Sequence, residues 1–397
     1  MNISPSYKSK PGNTKVISFF ISPNPAIFLC IHLMLVSCAT KDPGNMMNKL
    51  DSMLANEFRA NEPGGSVLVQ KGEKILFLKS YGLADLETGE KITGKTLFNL
   101  GSVSKTFVSN GILILHERGL LSLEDSIIKY FDDFKNREIS RKVRINHLLS
   151  HTSGLPDNRN VSENFEFFLT AKDRENFEPV KLADGLNFEP GERFEYSNPA
   201  YNGLALIIEK ATDQPWQEFI RENIFEPAGM IASTITNGAH PLEGVAHGYE
   251  FINGRYVESD YGEFPTFAAA GNGGVWSSVL ELAEYEKAIR GNKFLGSDLT
   301  DESRSLFIPE NWAGPLKPFI GYGWFIGDEQ LLGEKNDFGV RFVYHTGDQG
   351  GFRAFYITVP GKDILFIGLF NRPPENLTGI IKTGITIFQD NKWLDDL

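Results

Sequence analysis

Runs with the pattern of β-strands stand at the two ends of this chain, and a long stretch with helical patterning separates them. Near the start come SVLVQ from Ser66 and KILFLKSYG from Lys74, joined by Lys71, Gly72 and Glu73, which have the composition of a hairpin turn. Near the end come GYGWFI from Gly321, GFRAFYITV from Gly351 and DILFIGLF from Asp363. Strands so far apart in sequence bury their apolar faces by pairing into one antiparallel sheet built from both ends, with the helical stretch inserted. The expected class is therefore α+β, a sandwich of helices on an antiparallel sheet with a mostly helical lobe.

The helical signals are local. One helix is predicted over Val103–Arg118, halted by Gly119; a second carries INHLLS from Ile145; a third has Pro199 in its first turn. Pro215 opens a fourth, ending near the turn Glu226–Gly229. Ser278 and Glu281 read as a capping box ahead of VLELAEYEKAI, and LTGIIKTGITIFQD from Leu377 reads as a closing helix. An amphipathic helix is expected over Met46–Arg59. These signals divide the chain into residues 38–63, a linker and helix, and a domain over 64–397, with a sheet lobe at 64–100 and 240–397 and a helical lobe at 101–239.

Residues 1–37 have the character of a targeting segment. Lys8, Lys10 and Lys15 precede the apolar run AIFLCIHLMLV, which is too short to span a bilayer in the usual way and ends at Leu35, Val36, Ser37 and Cys38. That ending resembles the lipobox of bacterial lipoproteins, which implies cleavage before Cys38 and its acylation, hence a membrane anchor and a periplasmic or surface-exposed place in the cell envelope. Cys30 is the only other cysteine, so the processed chain has no intramolecular disulfide and must stand on its core. Without those three lysines the formal charge goes from -12 to -15. An acidic body without a basic run argues against nucleic acid as a partner.

Ser102 and Lys105 lie three apart at the start of the apolar helix, on one face. Serine there is ordinarily a cap and helical lysine is ordinarily at the surface; Ser126 and Lys129 repeat the spacing in a polar setting, EDSIIKYFDDF. Lys105 differs because Val103, Phe107, Val108, Ile112 and Leu115 surround it with apolar residues. Burial disfavours an ammonium and turns it towards a usable base, and a helix start stabilises an oxyanion. A serine paired with a lysine is a known way to activate a hydroxyl. Two further stretches follow: FEYSNPAYNG holds Tyr196 and Asn198, the single Tyr-x-Asn among 12 tyrosines, and YHTGDQGGF holds His345, Thr346 and Gly347.

With these three motifs in order, the sequence resembles the serine β-lactamase and penicillin-binding-protein superfamily, closest to its class C β-lactamase, D-aminopeptidase and esterase branch. LLSHTSGLP from Leu148 and NIFEPAGM from Asn223 also look like that family. The resemblance implies the β-lactamase/transpeptidase-like fold and acyl transfer without metal or organic cofactor. It implies Ser102 as nucleophile, Lys105 and Tyr196 as the proton-shuttling pair, and the backbone N–H groups of Ser102 and Asp348 as oxyanion hole. Asn198 would hold Lys105 and the substrate amide. Either a neutral lysine or an ionised tyrosine serves as base, and the residues do not choose. The bland readings are a core aromatic for Tyr196 and a helix cap for Asn198.

Three positions qualify the resemblance. His345 stands where lactamases carry lysine, and a mostly neutral imidazole grips a carboxylate less well. Esters, amides or D-amino-acid peptides are then better substrates than β-lactams, leaving a β-lactamase or D,D-carboxypeptidase as the alternative. Asp348 occupies a position where small residues are common, so its carboxylate is expected to point away from the oxyanion. Asn158, two residues past Pro156, is a candidate pocket lining. Two rivals remain. His147 and His151, four apart, could share a metal, but the glutamate a zinc peptidase needs after the first histidine is Leu148. A catalytically silent lipoprotein could bind cell-wall peptides on the same fold, but it has no need of a buried lysine.

Overall fold

Both ends of the chain do meet in one sheet. The computed structural model describes residues 43–159, 170–236, 240–241, 243–259 and 268–395, so Cys38 and the apolar run before it lie outside the described residues. Strands β1 (Gly65–Lys71) and β2 (Lys74–Tyr81) form the N-terminal hairpin, turning at Gly72 with φ +57°. Strands β3 (Phe325–Gly327), β4 (Phe342–Gln349), β5 (Phe352–Val359) and β6 (Ile364–Phe370) come from the far end. The order across the sheet is β2-β1-β6-β5-β4-β3, and all neighbours are antiparallel.

Every residue of β6 is buried, because helices cover both faces of the sheet at its centre. This explains why ILFIGLF is apolar throughout and does not alternate. On one face Val67, Val69, Phe355, Ile357 and Phe366 pack with Leu50 and Leu54 of helix α1 (Pro43–Glu57) and with Ile380, Ile385 and Phe388 of α7 (Leu377–Asp390). On the other face Leu68, Tyr356, Leu365 and Ile367 join a larger core. That core includes α2 (Lys105–Glu117), α3 (Ile145–Leu149), α4 (Asp173–Lys181), α5 (Asn198–Thr212) and α6 (Val279–Arg290).

Three local expectations change. The predicted helix over Val103–Arg118 is two elements, a 3-10 turn at Gly101–Ser104 followed by α2. Both geometries bring residues three apart together, so the sequence pattern cannot separate them. Of GYGWFI only Phe325 and Ile326 are strand, the start of β3: Gly323, at φ +80°, sits where a Cβ would lie 2.7 Å from that of Ser109, and the chain turns there against α2. Ser278 does cap α6 by accepting from the Glu281 N–H, but the Glu281 carboxylate accepts from Ala232 and Ser233 instead of returning to the cap. A small second sheet pairs Val275–Ser277 with Phe98–Asn99 and Thr234–Ile235. It braces the turn at residues 101–104: Leu100 donates to the Val275 carbonyl, and Val275 donates to Ser104 Oγ at 3.0 Å.

Candidate active site

Ser102 lies on the 3-10 turn at residues 101–104, where three residues per turn bring the side chains at i and i+3 into line. Lys105 Nζ is 3.2 Å from Ser102 Oγ and donates to the Asn272 carbonyl at 2.7 Å. The lysine has no exposed surface. Neither partner is an anion. Burial holds its amine well below the ordinary value, and the Arg159 guanidinium pushes it the same way.

Tyr196 precedes α5 and is 38% exposed, with its hydroxyl beside Ser102 and its ring centroid 5.1 Å from Lys105 Nζ. Desolvation of the hydroxyl raises its pKa and the neighbouring Ser102 opposes that, so the phenol stays protonated. Asn198 does not cap α5. Ser197 does, its Oγ accepting from the Ala200 N–H. Asn198 Oδ1 is buried without a hydrogen-bond partner among the described residues, so the expected bond to Lys105 is not made. The Asn272 carbonyl takes that place.

Strand β4 carries His345, Thr346, Gly347 and Asp348 past the turn. Contact there is close enough to demand glycine on both sides. A Cβ on Gly347 would lie 2.0 Å from the Leu100 carbonyl oxygen, and one on Gly101 would lie 2.7 Å from the Asp348 nitrogen. The Asp348 backbone N–H is thus packed against the residue preceding Ser102. Its carboxylate is 72% exposed and pairs with Arg353 at 2.8 Å, pointing away as expected. His345 is buried; its Nδ1–H donates to the Thr346 carbonyl at 2.6 Å. Burial, then the Lys105 charge, bring its pKa down to about 3, so the imidazole is neutral.

Asn158 is exposed, whereas its neighbour Arg159 is buried and fixed by Asp157 at 2.6 and 2.7 Å and by Asn176 at 2.8 Å. His147, on α3, and His151, in the turn after it, face different partners. His147 Nδ1 accepts from the Arg144 N–H at 3.1 Å, and His151 Nδ1 accepts from the Ser197 N–H at 3.0 Å. Among the described residues no group of three or more His, Cys, Asp or Glu is placed to hold a metal. Lys129 of the second Ser-x-x-Lys is 54% exposed and paired with Asp125 at 2.7 Å.

Sequence reasoning missed the support behind Lys105. Asp173, at the start of α4, is buried and accepts from the Gly271 N–H, Asn202 and Trp216 at 2.8, 2.6 and 3.0 Å. Asn272 donates to Asn202 at 3.0 Å, which sets the carbonyl that Lys105 reaches. Burial raises the Asp173 carboxyl to about 6 despite these three donors. The one signal for this chain of contacts was the run AAAGNGG from Ala268, whose glycines allow close backbone approach.

Residues 50–383 match the protein-family model described as Beta-lactamase. A penicillin-binding protein of Bacillus subtilis (strain 168) is 28% identical over 326 residues, covering 79% of this chain and 69% of that protein. The chain spans about two thirds of the length of the curated relatives it matches. Among solved structures, the octameric penicillin-binding protein homologue from Pyrococcus abyssi superposes with a TM-score of 0.73 at 26% identity, over 90% of this chain and 79% of that one. The D-amino acid amidase from Ochrobactrum anthropi SV3 gives 0.70 at 21% identity over 88% and 99%, a likeness of fold.

Proposed function

Given that the chain belongs to the β-lactamase family, we propose that it is a serine hydrolase of the cell envelope that forms an acyl-enzyme on Ser102 and takes esters, amides or D-amino-acid peptides without a carboxylate at the recognition position. The observation that carries this reading is a fully buried amine 3.2 Å from the Ser102 hydroxyl, with no anion among its hydrogen-bond partners in the described residues. An ammonium so desolvated loses its proton, and its lone pair then accepts from Ser102.

The steps follow. Ser102 Oγ bonds to the substrate carbonyl carbon while its proton passes to Lys105 Nζ. The carbonyl oxygen becomes an oxyanion held by the backbone N–H groups of Ser102 and Asp348. The carbon–oxygen or carbon–nitrogen bond breaks, and the leaving group takes the proton from Lys105 through the Tyr196 hydroxyl. Water then repeats the attack, Lys105 accepts its proton, and Ser102 Oγ leaves with a proton restored. Lys105 rather than Tyr196 is the base here, because its environment favours the neutral amine while that of Tyr196 favours the phenol.

Neutral His345 supports the substrate class. A lysine at that position would hold a substrate carboxylate by charge, whereas an uncharged imidazole offers at most a hydrogen bond. The name of the structural neighbour, a D-amino acid amidase, agrees with that choice. The test is a panel of nitrophenyl esters, D- and L-amino-acid anilides and β-lactams, run on the native enzyme and on Ser102→Ala, with intact mass after fluorophosphonate treatment. One adduct on the native enzyme, none on Ser102→Ala, and turnover of neutral donors above β-lactams are expected. No adduct on the native enzyme makes the protein a binding module, and cephalosporin turnover at the rate of a resistance enzyme reverses the substrate order. The anchor at Cys38 belongs to the same proposal: Cys38→Ser should move the protein from the membrane to the soluble fraction.

A further inference from the structure

His151 takes no part in the steps proposed for Ser102, Lys105 and Tyr196, yet its contacts converge on the tyrosine. Its carbonyl accepts from the Glu195 N–H at 2.9 Å, and its ring Nδ1 accepts from the Ser197 N–H at 3.0 Å. The residues on either side of Tyr196 are therefore both tied to His151. The imidazole also stacks on the Tyr196 ring, centroids 4.4 Å apart and planes 27° apart. Tyr201 at 5.0 Å and Phe194 at 5.8 Å enclose the imidazole further.

The backbone at this residue is unusual. His151 has φ +56°, the left-handed region that few residues besides glycine enter, with Asn, Asp and His the commonest of those that do. Such strain is kept where the surroundings use it. Here the left-handed turn follows α3 and brings ring and carbonyl to the same segment, 46 residues further along the chain. Because a backbone N–H can only donate, Nδ1 carries the lone pair and the proton sits on Nε2, which is buried and has no partner among the described residues. The ring is thus a neutral acceptor by geometry.

We propose that His151 is a positioning residue for Tyr196, gripping the tyrosine's backbone from both sides and its ring from one face so that the hydroxyl stays at Ser102. This rests on the reading of Tyr196 as the proton-transfer residue. Tyr196 needs such a grip because it lies outside regular structure and partly exposed, where a displacement near 1 Å spoils proton transfer.

Two measurements test it, with p-nitrophenyl acetate as the probe. The first needs no variant: amide hydrogen exchange of the native enzyme should show Ser197 and Glu195 protected like the interior of a helix, and exchange at unstructured-peptide rates overturns the clamp. The second uses His151→Gly, which accepts the left-handed backbone but lacks ring and acceptor, and His151→Asn, which keeps an acceptor. The glycine variant should lose about tenfold or more in kcat with KM within about twofold, and asparagine should recover most of that loss. In a Tyr196→Phe background the glycine change should cost less than about twofold more, because the group it positions is gone. An equal loss in both backgrounds, or none in either, overturns the inference. Should Tyr196→Phe itself run at the native rate, the catalytic reading of Tyr196 falls and the inference falls with it; a silent His151→Gly beside a dead Tyr196→Phe removes the inference alone. If neither variant folds, hydrogen exchange decides.

Discussion

At Lys105 a charge has been made unfavourable by its surroundings, and the consequence is a pH dependence with a definite sign. Its pKa is lowered by burial and by Arg159, so the base form appears below the ordinary amine range. Activity should therefore rise with pH as that proton leaves and reach its plateau well before pH 10.4, the reference value for an exposed lysine. His345, at about 3, adds no limb near pH 6.5, and Tyr196, raised, adds no fall below pH 10. A kcat/KM profile with one acidic limb is the expected outcome; a limb in the free-lysine range would mean the ammonium persists. Lys105→Arg, which cannot deprotonate, should cost on the order of 10² to 10⁴ in rate. Ser102, Lys105, Tyr196 and His345 were legible as residue types at fixed local spacings. Asn272 was not, because it acts through a carbonyl that every residue has. His151 was visible as half of a histidine pair and within the family-like stretch LLSHTSGLP, but its contacts were not, since the N–H that meets its ring belongs to Ser197.

Between elements, the decisive contact is that of β4 with the turn at residues 101–104. Gly347 and Gly101 let the two backbones touch, and side chains there would separate the N–H groups proposed to share the oxyanion. Gly347→Ala should push β4 from the turn, lowering kcat by roughly 10² to 10³, the scale of losing one oxyanion donor. It should also cost about 1–3 kcal/mol of stability through overpacking. Gly361→Ala is the control, since a Cβ there meets nothing within 4 Å and its φ is not left-handed. Equal kcat in the two variants would show that the contact is not what aligns the donors. The sequence announced β1, β2, β5 and β6 and that strands from both ends share one antiparallel sheet, but neither their order nor the extent of β4. It did not announce that Ser102 sits on a 3-10 turn, nor that GYGWFI turns before it pairs. In both places tertiary contact, with β4 and with Ser109, overrides a local pattern compatible with either geometry.

At the scale of the whole molecule, the site depends on residues from both ends of the described chain. β6 pairs with β1 from the N-terminal hairpin and with β5, which in turn holds β4 and its His345–Asp348 segment in register. Helix α7 seals the face opposite the larger core. Its Phe388 has no exposed surface and packs edge-on against Phe366 of β6 at 5.9 Å. A cavity opened there is felt by the central strand, and through it by the sheet as a unit, without touching any group proposed for chemistry. Phe388→Ala should therefore remove about 3–5 kcal/mol of stability. Calorimetry should show one transition at lower temperature, and kcat at 25 °C per folded molecule should stay at the native value. Two separate transitions would mean that the sheet built from both ends does not melt with the helical region. An unchanged Tm would mean that α7 is not part of what holds β6.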